Sequence, residues 1–110
     1  MNVTFKHKKL SALVHDDRKL DREMGRKRAD KIRLRLAQLK AVETLEDLRH
    51  VAGNYHELKE NRKGQWACDL DQPYRLIFTP HENPIPVNDS GQYEWTKIKG
   101  VEIIEIIDYH

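Results

Sequence analysis

Apolar and polar positions divide the chain near residue 54 into a helix-patterned half and a strand-patterned half. Leu20, Met24, Ile32, Leu36 and Leu39 recur at helical spacing and predict the buried stripe of an amphipathic helix. Leu10, Leu13 and Val14 repeat the same spacing over Lys6 to His15 and predict a shorter helix. Asp16 and Asp17 stand where a helix start favours acidic caps. From there to Val42 the chain is rich in Arg, Lys, Leu, Ala and Gln, all good helix formers. Gly25 weakens this helix or breaks it in two. Arg26, Lys27, Lys31, Arg33 and Arg35 fall mostly off the stripe. Thr44 and Asp47 are spaced like a capping box and open one more short helical turn.

Beyond Gly53-Asn54 the pattern turns to strands, as it already is at Val3-Thr4-Phe5. Tyr55–Leu58, Gln65–Leu70 and Tyr74–Thr79 are joined by the short turns Lys59–Gly64 and Asp71–Pro73, which imply antiparallel hairpins. Pro80 ends the third of these strands. Residues 81–99 are a long polar loop, or a hairpin bent at Asp89-Ser90-Gly91. The final strand carries Val101, Ile103, Ile104, Ile106 and Ile107. Simple alternation puts Val101, Ile103 and Ile107 on one face and Ile104 and Ile106 on the other. With both faces apolar, this strand belongs inside the sheet. The fold class is α+β: N-terminal helices packed on one face of a small, mainly antiparallel, twisted β-sheet. Residues 1–110 are expected to form a single domain, with 81–99 as its loop or hairpin insert.

Composition narrows the chemistry. Charged residues make up 35% of the chain and no apolar run approaches membrane-spanning length. The start, Met1-Asn-Val-Thr-Phe-Lys6, lacks the apolar region of a signal peptide, and a lone cysteine, Cys68, suits a reducing cytoplasm. Cys68 reads as a small core residue in a strand rather than a nucleophile. Six histidines show no ligand spacing, so no metal is expected. No glycine-rich phosphate loop or nucleophilic serine motif is present, and no cofactor is expected. Net charge is only +2, yet Lys6–Lys40 holds thirteen basic and five acidic residues, against seven and thirteen from Ala41 onward. A basic helical surface of this kind suits a phosphate backbone or an acidic protein partner, and also an ordinary solvated helix.

One constellation carries chemistry. In Tyr74–Thr79, alternation assigns Tyr74, Leu76 and Phe78 to the core and Arg75, Ile77 and Thr79 to the other face. With the final strand as neighbour, Arg75 is expected near Asp108 and His110, which share a face by parity, while Tyr109 points the other way. Lys59, Arg62 and Lys63 of the basic turn add cations. Such a set suits cleavage of an RNA phosphodiester, with a histidine moving protons near neutral pH and fixed cations stabilising the charge on the phosphorane. Taken alone, Arg75 reads instead as a surface ion-pair partner of Asp69 or Glu105.

The run from Glu57 to Phe78 reads Glu-Leu-Lys-Glu-Asn-Arg-Lys-Gly-Gln-Trp-Ala-Cys-Asp-Leu-Asp-Gln-Pro-Tyr-Arg-Leu-Ile-Phe. Together with Asp108-Tyr109-His110 and the opening Val3–Leu10, it resembles the HigB branch of the RelE/ParE toxin superfamily. The shared features are a Gly-x-Trp strand, a Tyr-Arg-Leu-Ile-Phe strand and a final Asp-Tyr-His. The resemblance implies a RelE-like fold and a toxin of a type II toxin–antitoxin pair that cuts mRNA in the ribosomal A site. It implies cleavage without metal, leaving a cyclic phosphate. By the same resemblance His110 is the acid/base residue and Arg75 the phosphate clamp. Asp108 orients His110, Tyr109 contacts or stacks on a base, and Lys59, Arg62 and Lys63 meet phosphates. The implied partners are a cognate antitoxin, of helix-turn-helix type and encoded nearby, the ribosome and mRNA. No membrane partner is implied. A non-enzymatic gyrase inhibitor of the ParE kind and a degenerate toxin-fold binding module are the rival readings.

Overall fold

The apolar stripe dictates the helical half. In the computed structural model, which describes residues 1–108, β1 (Asn2–Phe5) leads into α1 (Lys8–Val14), α2 (Asp17–Met24) and α3 (Arg26–Ala41). The Asp16 carboxylate caps α2 by accepting the Lys19 backbone N–H at 3.1 Å. Gly25 then breaks the helix in two: its φ of 80° and ψ of 149° form a combination that a side chain strongly disfavours. Leu20, Ala29, Ile32, Leu36 and Leu39 are buried, and Met24 packs against them. A 3₁₀ turn, Leu45–His50, follows, and the Asp47 carboxylate accepts the Thr44 N–H at 3.0 Å. Among the described residues, no helix is long and apolar enough to cross a membrane.

β2 (His56–Glu57), β3 (Trp66–Asp69), β4 (Tyr74–Pro80) and β5 (Gly100–Asp108) join β1 in one sheet of order β1-β5-β4-β3-β2. Three of the pairings are antiparallel, and β1 runs parallel to β5. The strand expected over Tyr55–Leu58 contracts to the two residues of β2, with Tyr55 and Leu58 buried on either side. Helices cover one face, where Trp66, Cys68, Leu76, Phe78, Val101 and Ile103 meet the helical stripe in the main core.

Strand β5 departs from simple alternation. Ile77 lies opposite Glu105, but Phe78 lies opposite Ile103, so Ile104 is an extra residue, a β-bulge. Parity reverses there. Ile106 therefore joins Val101 and Ile103 against the main core, and Ile107 packs on the opposite face with Leu58, Ala67 and Ile77. The grouping of Ile107 with Val101 and Ile103 is thereby corrected.

Within 81–99 the hairpin alternative is the one that forms. Val87 bridges Tyr93, and the Asn88 side chain accepts the N–H groups of Ser90 and Gln92 at 2.9 and 3.0 Å. The return limb enters the core: Trp95 and Ile98 are buried, and the Trp95 ring meets Trp66 edge to face at 5.5 Å.

Arg35, beside the apolar stripe, is buried. It is 7% exposed, and its Nε donates to the Asp69 carbonyl at 2.7 Å. Its Nη1 donates to the Ala52 carbonyl and to Gln38 Oε1, both at 3.2 Å. Gly53 makes room for it, since a Cβ there would stand 2.9 Å from the guanidinium carbon. Arg35→Ala leaves partly buried carbonyls without this donor and should lower stability by about 2 kcal/mol in urea titration. A loss below about 1 kcal/mol would mean that water replaces the guanidinium.

Candidate functional site

Alternation along β4 separates the two sides of the sheet as the sequence predicts. Tyr74, Leu76 and Phe78 belong to the helix-covered side, and Arg75, Ile77 and Thr79 to the other. Arg75 stands opposite Asp69 in β3 and Ile107 in β5. Its Nη1 lies 3.5 Å from Asp69 Oδ1, so the ion pair with Asp69 is present. Asp69 is itself fixed through its backbone. Its N–H donates to Gly53 at 2.8 Å, and its carbonyl receives Arg35. Next to Arg75 along this face lies the small apolar patch of Ile77, Ala67, Leu58 and Ile107.

The basic turn is tethered beside that patch. It contains a 3₁₀ segment, Glu60–Arg62, with Glu60 at a φ of 57°. Arg62 donates through Nη2 to Glu105 at 2.7 Å and through Nη1 to Gln65 Oε1 at 2.9 Å. Lys59 and Lys63 are exposed. Arg62 thus ties the turn to β5, leaving the two lysines facing solvent. The same pair compensates Glu105, the acidic residue opposite Ile77 on the face that bears Arg75. A cleft of about 370 Å³ continues from the turn, lined by Lys63, Gln65, Thr79, Glu82 and Glu102.

The helix side ends in a second cationic group, which the sequence pattern did not single out. The Arg28 guanidinium lies 3.4 Å from the centre of the Tyr74 ring and bonds Asp71 at 3.0 and 3.3 Å. The hydrogen bond to Asp71 raises the Arg28 pKa and holds the group charged. Its position was a usable signal: Arg28 lies four residues from both Met24 and Ile32, within the apolar stripe, where a charge needs a partner. Asp108 stands opposite Tyr74, and so belongs by register to this side. Arg75 and Asp108 therefore occupy opposite faces, against the expected shared face, because the Ile104 bulge has reversed the parity of the strand end. Tyr109 and His110, the other two expected site residues, lie outside the described residues.

Cys68 is a core residue. It is fully buried, and burial pushes its thiol from the ordinary 9.0 up to about 12. Burial likewise raises the hydroxyl of Tyr55, which donates to Gln38 Oε1 at 2.8 Å. Among the described residues no three His, Cys, Asp or Glu side chains converge as a metal site. Both raised groups bind their protons more tightly when folded. Their contribution to stability is therefore complete below pH 9 and declines as pH rises from 9 towards 12. Cys68→Ala should flatten the first part of that decline in thermal melts taken across this range. Native Cys68 should also resist iodoacetamide at pH 8 until urea unfolds the chain, and rapid alkylation without urea would contradict the burial.

No curated protein matches the chain. Residues 3–90 match the family described as the RelE-like toxin of type II toxin–antitoxin system HigB. The match takes in β1, the helices, the basic turn and β4, and stops before β5. It covers most of the sequence and agrees with the helix-on-sheet architecture found here. The chain belongs to this HigB-like family of RelE-like toxins.

Proposed function

We propose that the protein is a ribosome-dependent endoribonuclease that cleaves mRNA by acid/base chemistry on the open face and end of the β4–β5 pair. Membership of a type II toxin family implies an antitoxin partner. The RNase activity, the ribosome and the mRNA are the proposed part. The observation that most supports it is the arrangement around Arg75. One guanidinium is oriented by Asp69 on the face not covered by helices, with a tethered turn beside it that holds out Lys59 and Lys63.

In this reading the 2′-hydroxyl of the upstream nucleotide attacks phosphorus, the bond to the 5′-oxygen of the next nucleotide breaks, and a 2′,3′-cyclic phosphate remains. His110 takes or returns the proton, as an imidazole does near neutral pH. Arg75 meets the charge that builds on the phosphoryl oxygens, where a guanidinium gives two parallel donors. Tyr109 stacks on a base and Asp108 supports the charge of the histidine. Lys59 and Lys63 contact flanking phosphates, and Arg62 serves chiefly to hold the turn.

Controlled expression of the wild type should slow growth and produce mRNA fragments on ribosomes. His110→Ala or Arg75→Ala should reduce cleavage by about 10²- to 10⁴-fold, without loss of the folded state by circular dichroism. A wild type that neither slows growth nor cuts ribosome-bound mRNA would refute the enzyme reading.

A further inference from the structure

Ile85 and Tyr93 reach the basic turn from outside the sheet. Gly64, at the end of the turn, has a φ of 93°, and a Cβ built on it would lie 3.1 Å from Ile85 Cδ1 and 4.0 Å from the Tyr93 hydroxyl. The hairpin is therefore packed directly on the turn. Lys63 Nζ lies 5.6 Å from the centre of the Tyr93 ring, within the range of a cation–π contact. The Tyr93 ring meets Trp95 at 5.0 Å, and Trp95 meets the fully buried Trp66 of β3 at 5.5 Å. A run of three aromatic rings thus leads from the core to one exposed lysine.

The turn needs such support. Its own backbone bonds are short-range, from Arg62 to Lys59, from Lys63 to Glu60 and from Gln65 to Arg62. Glu60 holds a left-handed conformation that residues other than glycine seldom adopt. Arg62 fixes the turn only on the side of β5. The hairpin supplies the opposite side, and it is itself closed by the Glu94 N–H on the Pro86 carbonyl at 2.8 Å and by the Asn88 turn.

We propose that Tyr93 is a positioning residue, whose ring holds Lys63 and, with Ile85, keeps the Lys59–Gly64 turn in the conformation that presents its lysines to RNA phosphates. The proposal rests on the reading that this turn contacts RNA. It gives the 81–99 segment a part in substrate binding through the turn, with no RNA contact of its own required.

The test uses the full chain carrying His110→Ala, so that RNA is bound and not cut, and a short single-stranded RNA oligonucleotide as probe. Two quantities are read: amide exchange at Arg62, Lys63 and Gln65 without RNA, and RNA affinity across a salt series. Tyr93→Ala should speed exchange at those amides on the order of tenfold relative to β3. It should also weaken RNA several-fold and lower the salt slope by about one. Tyr93→Phe should preserve both, because a phenyl face also attracts a cation. Lys63→Gln should give a similar loss of affinity, and adding Tyr93→Ala to it should cost little more. Unchanged exchange in Tyr93→Ala, or fully additive losses, would overturn the positioning role. Faster exchange in Tyr93→Ala with RNA binding unaffected by Lys63→Gln would identify the phosphate-contact reading as the failing step, and the proposal would fall with it.

Discussion

A buried guanidinium joins the two halves of this fold. Arg35 leaves α3 and donates to the carbonyls of Ala52 and Asp69, one in the loop before β2 and the other at the end of β3. Both contacts are partly buried, and together they fix the spacing between helix layer and sheet. Its influence extends to the open face. The residue whose backbone Arg35 holds is the one whose carboxylate pairs with Arg75. An interaction on the covered side of the sheet thus sets the orientation of the cation on the uncovered side.

The charge imbalance between the chain halves is partly internal to the folded protein. Arg33 of α3 bonds Asp17, Asp21 and Asp30, Arg26 bonds Asp30, and Arg28 bonds Asp71. The exposed pairs among these contribute little to stability, but all of them reduce the field that a distant polyanion would feel. Among the exposed cations, Lys6, Lys8, Lys9, Arg18 and Arg22 precede α3, and Lys27 and Lys40 lie on it. Sequence counting finds the excess of basic residues. Only the fold tells which of them are compensated by carboxylates brought from elsewhere in the chain.

What was legible in the sequence follows the same division between local and long-range information. The Gly25 break, the Asp16 cap, the Asn88 turn and the alternation of β4 are each encoded within a few residues, and Arg75 could be placed on its face from alternation alone. The parallel pairing of β1 with β5 is a contact across nearly the whole chain, with no local signature. Arg28 and Arg35 did leave a trace, as charges on or beside an apolar stripe, but Asp71 and Asp69, which they bond, lie more than thirty residues away. The tether from Arg62 to Glu105 is equally non-local. The bulge left a different trace. Strict alternation would set Glu105 on the core face beside Val101 and Ile103, and the extra residue turns it instead to the open face, opposite Ile77.

That bulge determines which kinds of change the end of β5 can tolerate. Exchanging one aliphatic side chain for another at Ile104 keeps the residue count, and with it the faces assigned to Glu105, Ile106, Ile107 and Asp108. Removing Ile104 would restore strict alternation with Glu105 still opposite Ile77 and Ile103 still opposite Phe78, so those four residues would keep their sides. Removing Ile106 instead would turn Ile107 and Asp108 to the opposite sides, or make the strand slip by one position against β4. The end of this strand therefore encodes its geometry in length as much as in composition, and single-residue insertions and deletions beyond Ile104 are far more disruptive than conservative substitutions.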